Sequence, residues 1–191
     1  MTSPSQPPPL RFTNVRVLRD TNAALAEIVA ATQADSPLPE GEGGHRNEVF
    51  IRPATLSDAD SVFELLQQFA TSYTPVRAKF DEILPGLISS NAACVLVADD
   101  AGEIVGYALA LRVPTFFANG PTWHLQEIMV DPARRNEGIG GKLLHAVIVH
   151  ARDDNAVEVV LASRRAGGFY LKHGFTETAS YYKLKLGDVA G

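Results

Sequence analysis

The run Val130-Asp131-Pro132-Ala133-Arg134-Arg135-Asn136-Glu137-Gly138-Ile139-Gly140-Gly141-Lys142-Leu143-Leu144 constrains the fold more than any other stretch of this chain. An apolar segment stops, a glycine-rich turn follows, and a helix begins, so a strand must feed directly into a helix. Consecutive backbone N–H groups in a turn poor in side chains converge on one point. The first-turn donors of the new helix have no internal acceptor and sit at its positive end. A pyrophosphate satisfies both deficits, and this predicts a site for a phosphate-bearing cofactor.

With 191 residues, 46% of them hydrophobic, the chain is long enough for one principal core and an appendage. Its net charge of -5 opposes a nucleic-acid-binding surface, which needs a basic face. Cys94 is the only cysteine and lies in an apolar run, so neither a disulfide framework nor a thiolate metal site is expected. No apolar run reaches the ~18 residues that span a membrane, and the N-terminus lacks a signal-peptide pattern. These features predict a cytoplasmic protein without a metal, a nucleic-acid partner or a membrane partner.

Residues 1–47 read as an extension. Pro4, Pro7, Pro8 and Pro9 oppose regular structure at its start, a short alternating piece and an alanine-rich helical stretch follow, and Asp35 to Asn47 has the proline, glycine and charge of a linker. The folded domain is expected over residues 48–188. Within it, Val49 to Arg52 reads as a strand, and Ser57 to Asp60 as a capping box for a helix with apolar Val62, Phe63, Leu65, Leu66 and Phe69. A second helix is expected over 76–89, interrupted by Pro85. Residues 93–98 and 103–112 form a hairpin signal, and 122–130 a strand that enters the glycine turn. Ile139, Leu143, Leu144, Val147, Ile148 and Ala151 give the next helix one apolar face. A strand at 157–161, a short helix from Ala166 to His173 and an antiparallel pair over Phe175 to Leu186 complete a mixed α/β layer pattern.

The turn fits neither of two common phosphate motifs. A P-loop would need glycine at position 136 and Ser or Thr at 143, and a Rossmann fingerprint starting at Gly138 would need glycine at 143; the residues are Asn136 and Leu143. What remains is Arg135-x-x-Gly138-x-Gly140 opening a helix after a strand, followed downstream by Ala166-x-x-Phe169-Tyr170-x-x-x-Gly174-Phe175. In these two segments, over residues 48 to about 187, the chain resembles the GCN5-related N-acetyltransferase (GNAT) superfamily. The resemblance implies a mixed, mostly antiparallel central sheet with helices on both faces, and acetyl-CoA as cosubstrate.

It further implies that the backbone from Arg135 through Asn136, Glu137, Gly138, Ile139 and Gly140 to Gly141 cradles the pyrophosphate, with the Arg135 side chain adding a charged contact. Arg134 is expected to stay on the surface, and Lys142 to strengthen the local positive field. Ile128, Met129 and Val130 match the backbone that pairs with the pantetheine arm, and one of their N–H groups would polarise the thioester carbonyl, typically by ~3 kcal/mol per donor. Tyr170 occupies the position of the acid that protonates the leaving thiolate. Ser163 stands where members often carry an asparagine that bonds the cofactor, and its reach is shorter.

An attacking alkylamine has a reference pKa of about 10.4 and must lose a proton. Glu127 is the first candidate base, and His124, expected with Gln126 on the opposite strand face, the second. His145 and His150 read as surface or packing residues, and His173 as a helix-end residue. Direct attack on the thioester in a ternary complex is implied, without an acyl-enzyme on Cys94. A small-molecule or protein amine is the acceptor, with Tyr73, Phe80, Phe116, Phe117 and Trp123, near Asp81 and Glu82, as the candidate pocket. The alternative is a non-catalytic acyl-CoA sensor or interaction module on the same fold. A homodimer is compatible with either.

Overall fold

The computed structural model describes residues 48–69 and 73–186. Five strands form one sheet in the order β1 (Phe50–Pro53), β2 (Ala93–Asp100), β3 (Glu103–Pro114), β4 (Pro121–Val130) and β5 (Glu158–Leu161). The first four run antiparallel in sequence order, and β5 pairs parallel to β4. Helices α1 (Ala59–Phe69) and α2 (Arg77–Ser89) precede β2, α3 (Ile139–Asp153) crosses from β4 to β5, and α4 (Gly167–Lys172) follows β5. The expected extension over residues 1–47 and its boundary lie outside the described residues.

Alternation along β2, β3 and β4 divides the apolar side chains between two faces, as a sheet covered on both sides requires. One face receives Cys94, Leu96, Ala108, Ala110, Trp123 and Leu125, and α3 lies on it with Leu143, Leu144 and Val147. The other receives Val97, Tyr107 and Met129 beneath Val62 and Leu65 of α1. Leu96, Leu143 and Leu144 are fully buried, and burial of such a side chain is worth about 1.5–3 kcal/mol. The far end of α3 is fixed by Asp154, whose Oδ2 accepts from Arg112 Nε at 2.7 Å and from Trp123 Nε1 at 3.0 Å.

The β2–β3 connection is a two-residue turn at Ala101 (φ 53°) and Gly102 (φ 97°), the geometry that matches strand twist in a tight hairpin. A bulge between Ala98 and Asp99 and another between Leu109 and Ala110 shift the registers of β2–β3 and β3–β4. On β3, Gly106 lets β4 approach closely: a Cβ there would lie 2.8 Å from the Met129 carbonyl oxygen and 3.2 Å from Leu143 Cδ1.

Three expectations are corrected. The reach-back cap lies two residues earlier than Ser57: Asp58 Oδ2 accepts from the Thr55 N–H at 2.7 Å, and both Asp58 oxygens accept from Arg52, at 2.8 and 2.7 Å. A side chain already held by Arg52 fixes where the chain turns. The second helix runs through Pro85 without interruption. Pro85 lacks an N–H for the Asp81 carbonyl, and packing of Leu84 into the core outweighs that loss. The closing antiparallel pair over Phe175 to Leu186 is not formed; residues 176–186 carry no strand, and Tyr181, Tyr182, Leu184 and Leu186 are exposed. Alternation supplies a strand pattern, but a ladder also needs a partner strand, and among the described residues none pairs with this segment.

Two stability measurements follow. Gly106→Ala should lose about 1–3 kcal/mol in urea unfolding because the β4 backbone must move; an unchanged midpoint would contradict the close approach. Hydrogen bonds from the Arg52 guanidinium hold the Asp58 carboxyl below the usual carboxylate range despite its burial. A lowered folded pKa contributes stability above the unfolded value of about 3.9, lost as pH falls through the folded value. Asp58→Asn should therefore cost about 1–2 kcal/mol at pH 7, with the difference from wild type shrinking as pH drops below 4. A difference independent of pH would show that the charge is not what matters.

Candidate active site

Strand β4 carries five of the predicted site residues, His124, Glu127, Ile128, Met129 and Val130. Its pairing with β5 covers only Thr122 to Leu125, whereas its pairing with β3 continues to Val130. Among the described residues, one edge of β4 is therefore open from Gln126 onward. The Asp131 N–H donates to the Val105 carbonyl at 2.9 Å, so alternation turns the Met129 backbone toward β3 and the N–H groups of Ile128 and Val130 toward the open edge. Of the three predicted backbone contacts, Ile128 and Val130 face the gap and Met129 faces away, with its side chain under α1.

The open edge leads into the glycine turn. Asn136 (φ 68°) and Gly138 (φ 82°) take left-handed conformations, and Gly138 is the N-cap of α3. It has no side chain to receive the first-turn donors, so the N–H groups of Ile139, Gly140 and Gly141 have no acceptor in the helix. Among the described residues, the Arg135 side chain is exposed and has no ion-pair partner. Arg134, expected on the surface, is instead largely covered: Nη1 pairs with Asp100 Oδ2 at 2.8 Å and Nε with Glu137 Oε2 at 3.0 Å, tying the turn to the end of β2. The planar guanidinium can serve both carboxylates at once. Lys142 Nζ donates to the Val49 carbonyl at 3.2 Å, on the β1 side of α3.

Helix α4 packs against the start of α3. A Cβ at Gly140 would lie 3.6 Å from the Phe169 ring, and one at Gly141 would lie 3.2 Å from the His173 ring. Tyr170 is half-buried between Phe169 and Phe175, with ring centroids at 5.1 and 5.8 Å. Burial raises its hydroxyl pKa, and among the described residues that hydroxyl makes no hydrogen bond. Ser163 Oγ accepts from the Ala166 N–H at 3.1 Å, which leaves its own proton available.

Glu127 sits on the α1 face of β4. Its Oε2 accepts from the Tyr107 hydroxyl at 2.8 Å, and burial raises its pKa while that hydrogen bond pulls it back. Strict alternation would place His124 on the opposite face. The bulge overturns this: Glu127 pairs with Leu109 and His124 with Leu111, so both face the same side, and Gln126 is the extra residue. The consecutive polar pair Gln126-Glu127 inside an apolar strand was the available sequence signal. Tyr107 gave no such signal, since an aromatic in an apolar strand reads as core.

The candidate acceptor pocket is not assembled as a unit. Trp123 is fully buried on the α3 face, against the His150 ring at 4.6 Å. Phe80 packs on Phe63, Tyr73 lies under Lys183 Nζ at 4.5 Å, and Phe116 and Phe117 project from the β3–β4 loop. Asp81 and Glu82 pair with Arg77 and Lys79 within α2. His150 is a packing residue whose burial lowers its pKa. Cys94 is buried with its thiol pKa pushed up to about 12, which removes the thiolate an acyl-enzyme would need.

The sequence profile of the acetyltransferase (GNAT) domain matches residues 91–177. The chain is 31% identical over 158 residues to glucosamine 6-phosphate N-acetyltransferase 1 of Oryza sativa subsp. japonica, an alignment covering 75% of this chain and 94% of that protein. Among solved structures, glucosamine-6-phosphate N-acetyltransferase from Arabidopsis thaliana superposes with a TM-score of 0.66 at 21% identity, covering 74% of this chain and 100% of that one. A transcriptional regulator from Bacillus halodurans superposes equally well, with a TM-score of 0.66 at 19% identity over 73% of this chain and 100% of that one. The strand that opens into a glycine turn, and the sequence relationship over nearly the whole rice protein, lead to one conclusion: the chain belongs to the GNAT family of N-acetyltransferases.

Proposed function

We propose that residues 48–188 form a catalytic domain that transfers an acetyl group from acetyl-CoA to a primary amine of a small molecule. The observation that carries this reading is the open edge of β4 running into the unpartnered first turn of α3. A long phosphate-bearing donor fits that geometry. Ile128 and Val130 supply strand-like N–H groups for an extended arm, and the N–H groups around Gly138 to Gly141, with the exposed Arg135 guanidinium, suit the pyrophosphate. When bound, the cosubstrate supplies an activated acyl group.

The two faces of β4 divide the remaining work. Tyr170 packs with the α3-side core, and Glu127 belongs to the α1 side. In this reading the thioester lies at the edge between them. An Ile128 or Val130 N–H stabilises the oxyanion of the carbonyl, and Tyr170 hands its proton to the departing sulfur. The raised pKa of Tyr170 keeps that proton in place at neutral pH. Glu127 takes the proton of the attacking amine, with His124, now on the same face, as the second candidate. Ser163 adds a short-range donor near the α4 end.

The acceptor named for the rice and Arabidopsis relatives, glucosamine 6-phosphate, is the first amine to test. A cytoplasmic location belongs to the same proposal, supported by the buried free thiol of Cys94. So does a homodimer, supported by the apolar side chains exposed over Tyr181 to Leu186.

Thiol release from acetyl-CoA should be followed with glucosamine 6-phosphate, an amino acid, an aminoglycoside and an alanine-terminated peptide. Turnover with at least one is expected; acetyl-CoA binding without turnover on any would favour the sensor alternative. Tyr170→Phe should lower kcat by about 10²–10⁴-fold while leaving the KM for acetyl-CoA near wild type, and an unchanged kcat would remove it as the acid. Gly138→Val forces a branched side chain into a left-handed position beside the phosphate cradle. It should raise the KM for acetyl-CoA at least tenfold, equivalent to about 1.4 kcal/mol, and an unaltered KM would contradict the placement of the pyrophosphate.

A further inference from the structure

Tyr107 is the one large aromatic on the α1 face of β3 whose polar end is committed to a candidate catalytic group. It is 2% exposed, and its hydroxyl donates to Glu127 Oε2 at 2.8 Å across the β3–β4 ladder. A buried phenol must find a partner, and the strand offers backbone groups already used in the ladder. The partner it finds is a half-buried carboxylate beside the Gln126 bulge. Glu127 Oε1 has no hydrogen-bond partner among the described residues.

We propose that Tyr107 is a positioning residue for the acetyl transfer: its hydroxyl fixes Oε2 of Glu127 and stabilises the ionised carboxylate, leaving Oε1 to receive the proton of the attacking amine. This rests on Glu127 as the base. The arrangement solves a specific conflict. A base on this covered face loses solvation of its charged form, which drives it toward the protonated state in which it cannot accept a proton. One hydrogen bond to the ionised form opposes that drift without neutralising the base, as a cation would.

The other ionisable groups near this face do not take over that task. His124 lies on the same face of β4, and α1 carries the exposed Asp60 and Glu64. Asp60 pairs with Arg77 at 2.6 Å, and Asp81 and Glu82 of α2 pair with Arg77 and Lys79. Burial and the Tyr107 hydroxyl are the influences that shift Glu127, with opposite signs. Tyr107 itself is held protonated by burial and by the neighbouring carboxylate, so it stays a donor throughout the working range.

The test is the pH dependence of kcat at saturating acetyl-CoA, using the fastest amine of the panel above, for wild type, Tyr107→Phe and Glu127→Gln. Activity of a carboxylate base falls as pH drops through its pKa. Loss of a donor to its charged form raises that pKa, so Tyr107→Phe should move the acid limb upward by about one pH unit. Replacing Tyr107 with 3-fluorotyrosine, which keeps the shape and strengthens the donor, should move it downward, and this variant decides the matter if Tyr107→Phe fails to fold. Glu127→Gln should abolish that limb and lower kcat by at least about 100-fold. A wild-type kcat in Glu127→Gln overturns the base assignment. Loss of activity in Glu127→Gln with an acid limb unmoved by either change at position 107 overturns the role of Tyr107 alone.

Discussion

The structure depends on one mismatch in length: β4 bonds to β3 along its whole course, but to β5 only as far as Leu125. A parallel partner that stops early leaves backbone donors of a central strand without a ladder, in a position where neither a sheet edge nor a core would normally expose them. The bulge at Gln126 begins where that partner ends. It turns Glu127 and His124 to the α1 side while Trp123 and Leu125 remain under α3. The same few residues therefore end one ladder, open a gap and redistribute side chains between faces.

The surroundings hold that gap rigidly. Below it, Asp154 joins Trp123 and Arg112 at the end of α3; beyond it, Arg134 joins the glycine turn to Asp100 on β2. Between these points lie the fully buried Leu143, Leu144 and Val147. In the proposed mechanism this lets the donor meet prearranged dipoles instead of having to organise them, which is where most electrostatic catalysis originates.

The hairpin, the strand-turn-helix junction and the helix after it were legible in the sequence because their signals are local: alternation, a turn glycine, a helical apolar stripe. What was not legible required a second segment. Whether Tyr182, Leu184 and Leu186 form a strand depends on a neighbour, and their alternation says nothing of one. Trp123 reads as a pocket residue in the sequence, but α3 covers it. His124 lies on the face opposite to the one strict alternation predicts because one inserted residue reverses every side chain before it, and Gln126 announces that insertion only weakly. Arg134 reads as a solvated charge because its partner Asp100 is far away in sequence. The Tyr107–Glu127 pair joins two strands, and neither residue announces the other.

The absence of side chains at Gly140 and Gly141 has a consequence beyond the turn itself. At Gly141 it allows the His173 ring to approach where a Cβ would lie 3.2 Å away, and the Phe169 ring packs beside it over Gly140, so the helix carrying Tyr170 is mounted on the element proposed to grip the phosphates. The span between the proposed grip and the proposed acid is thus set by a contact inside the protein and not by the ligand. Such a pair of fixed points works as a caliper. A thioester on a carrier of different length, gripped at one end, would present its carbonyl away from the other, so selection for the carrier can arise from distance alone, without a single contact to the acyl group.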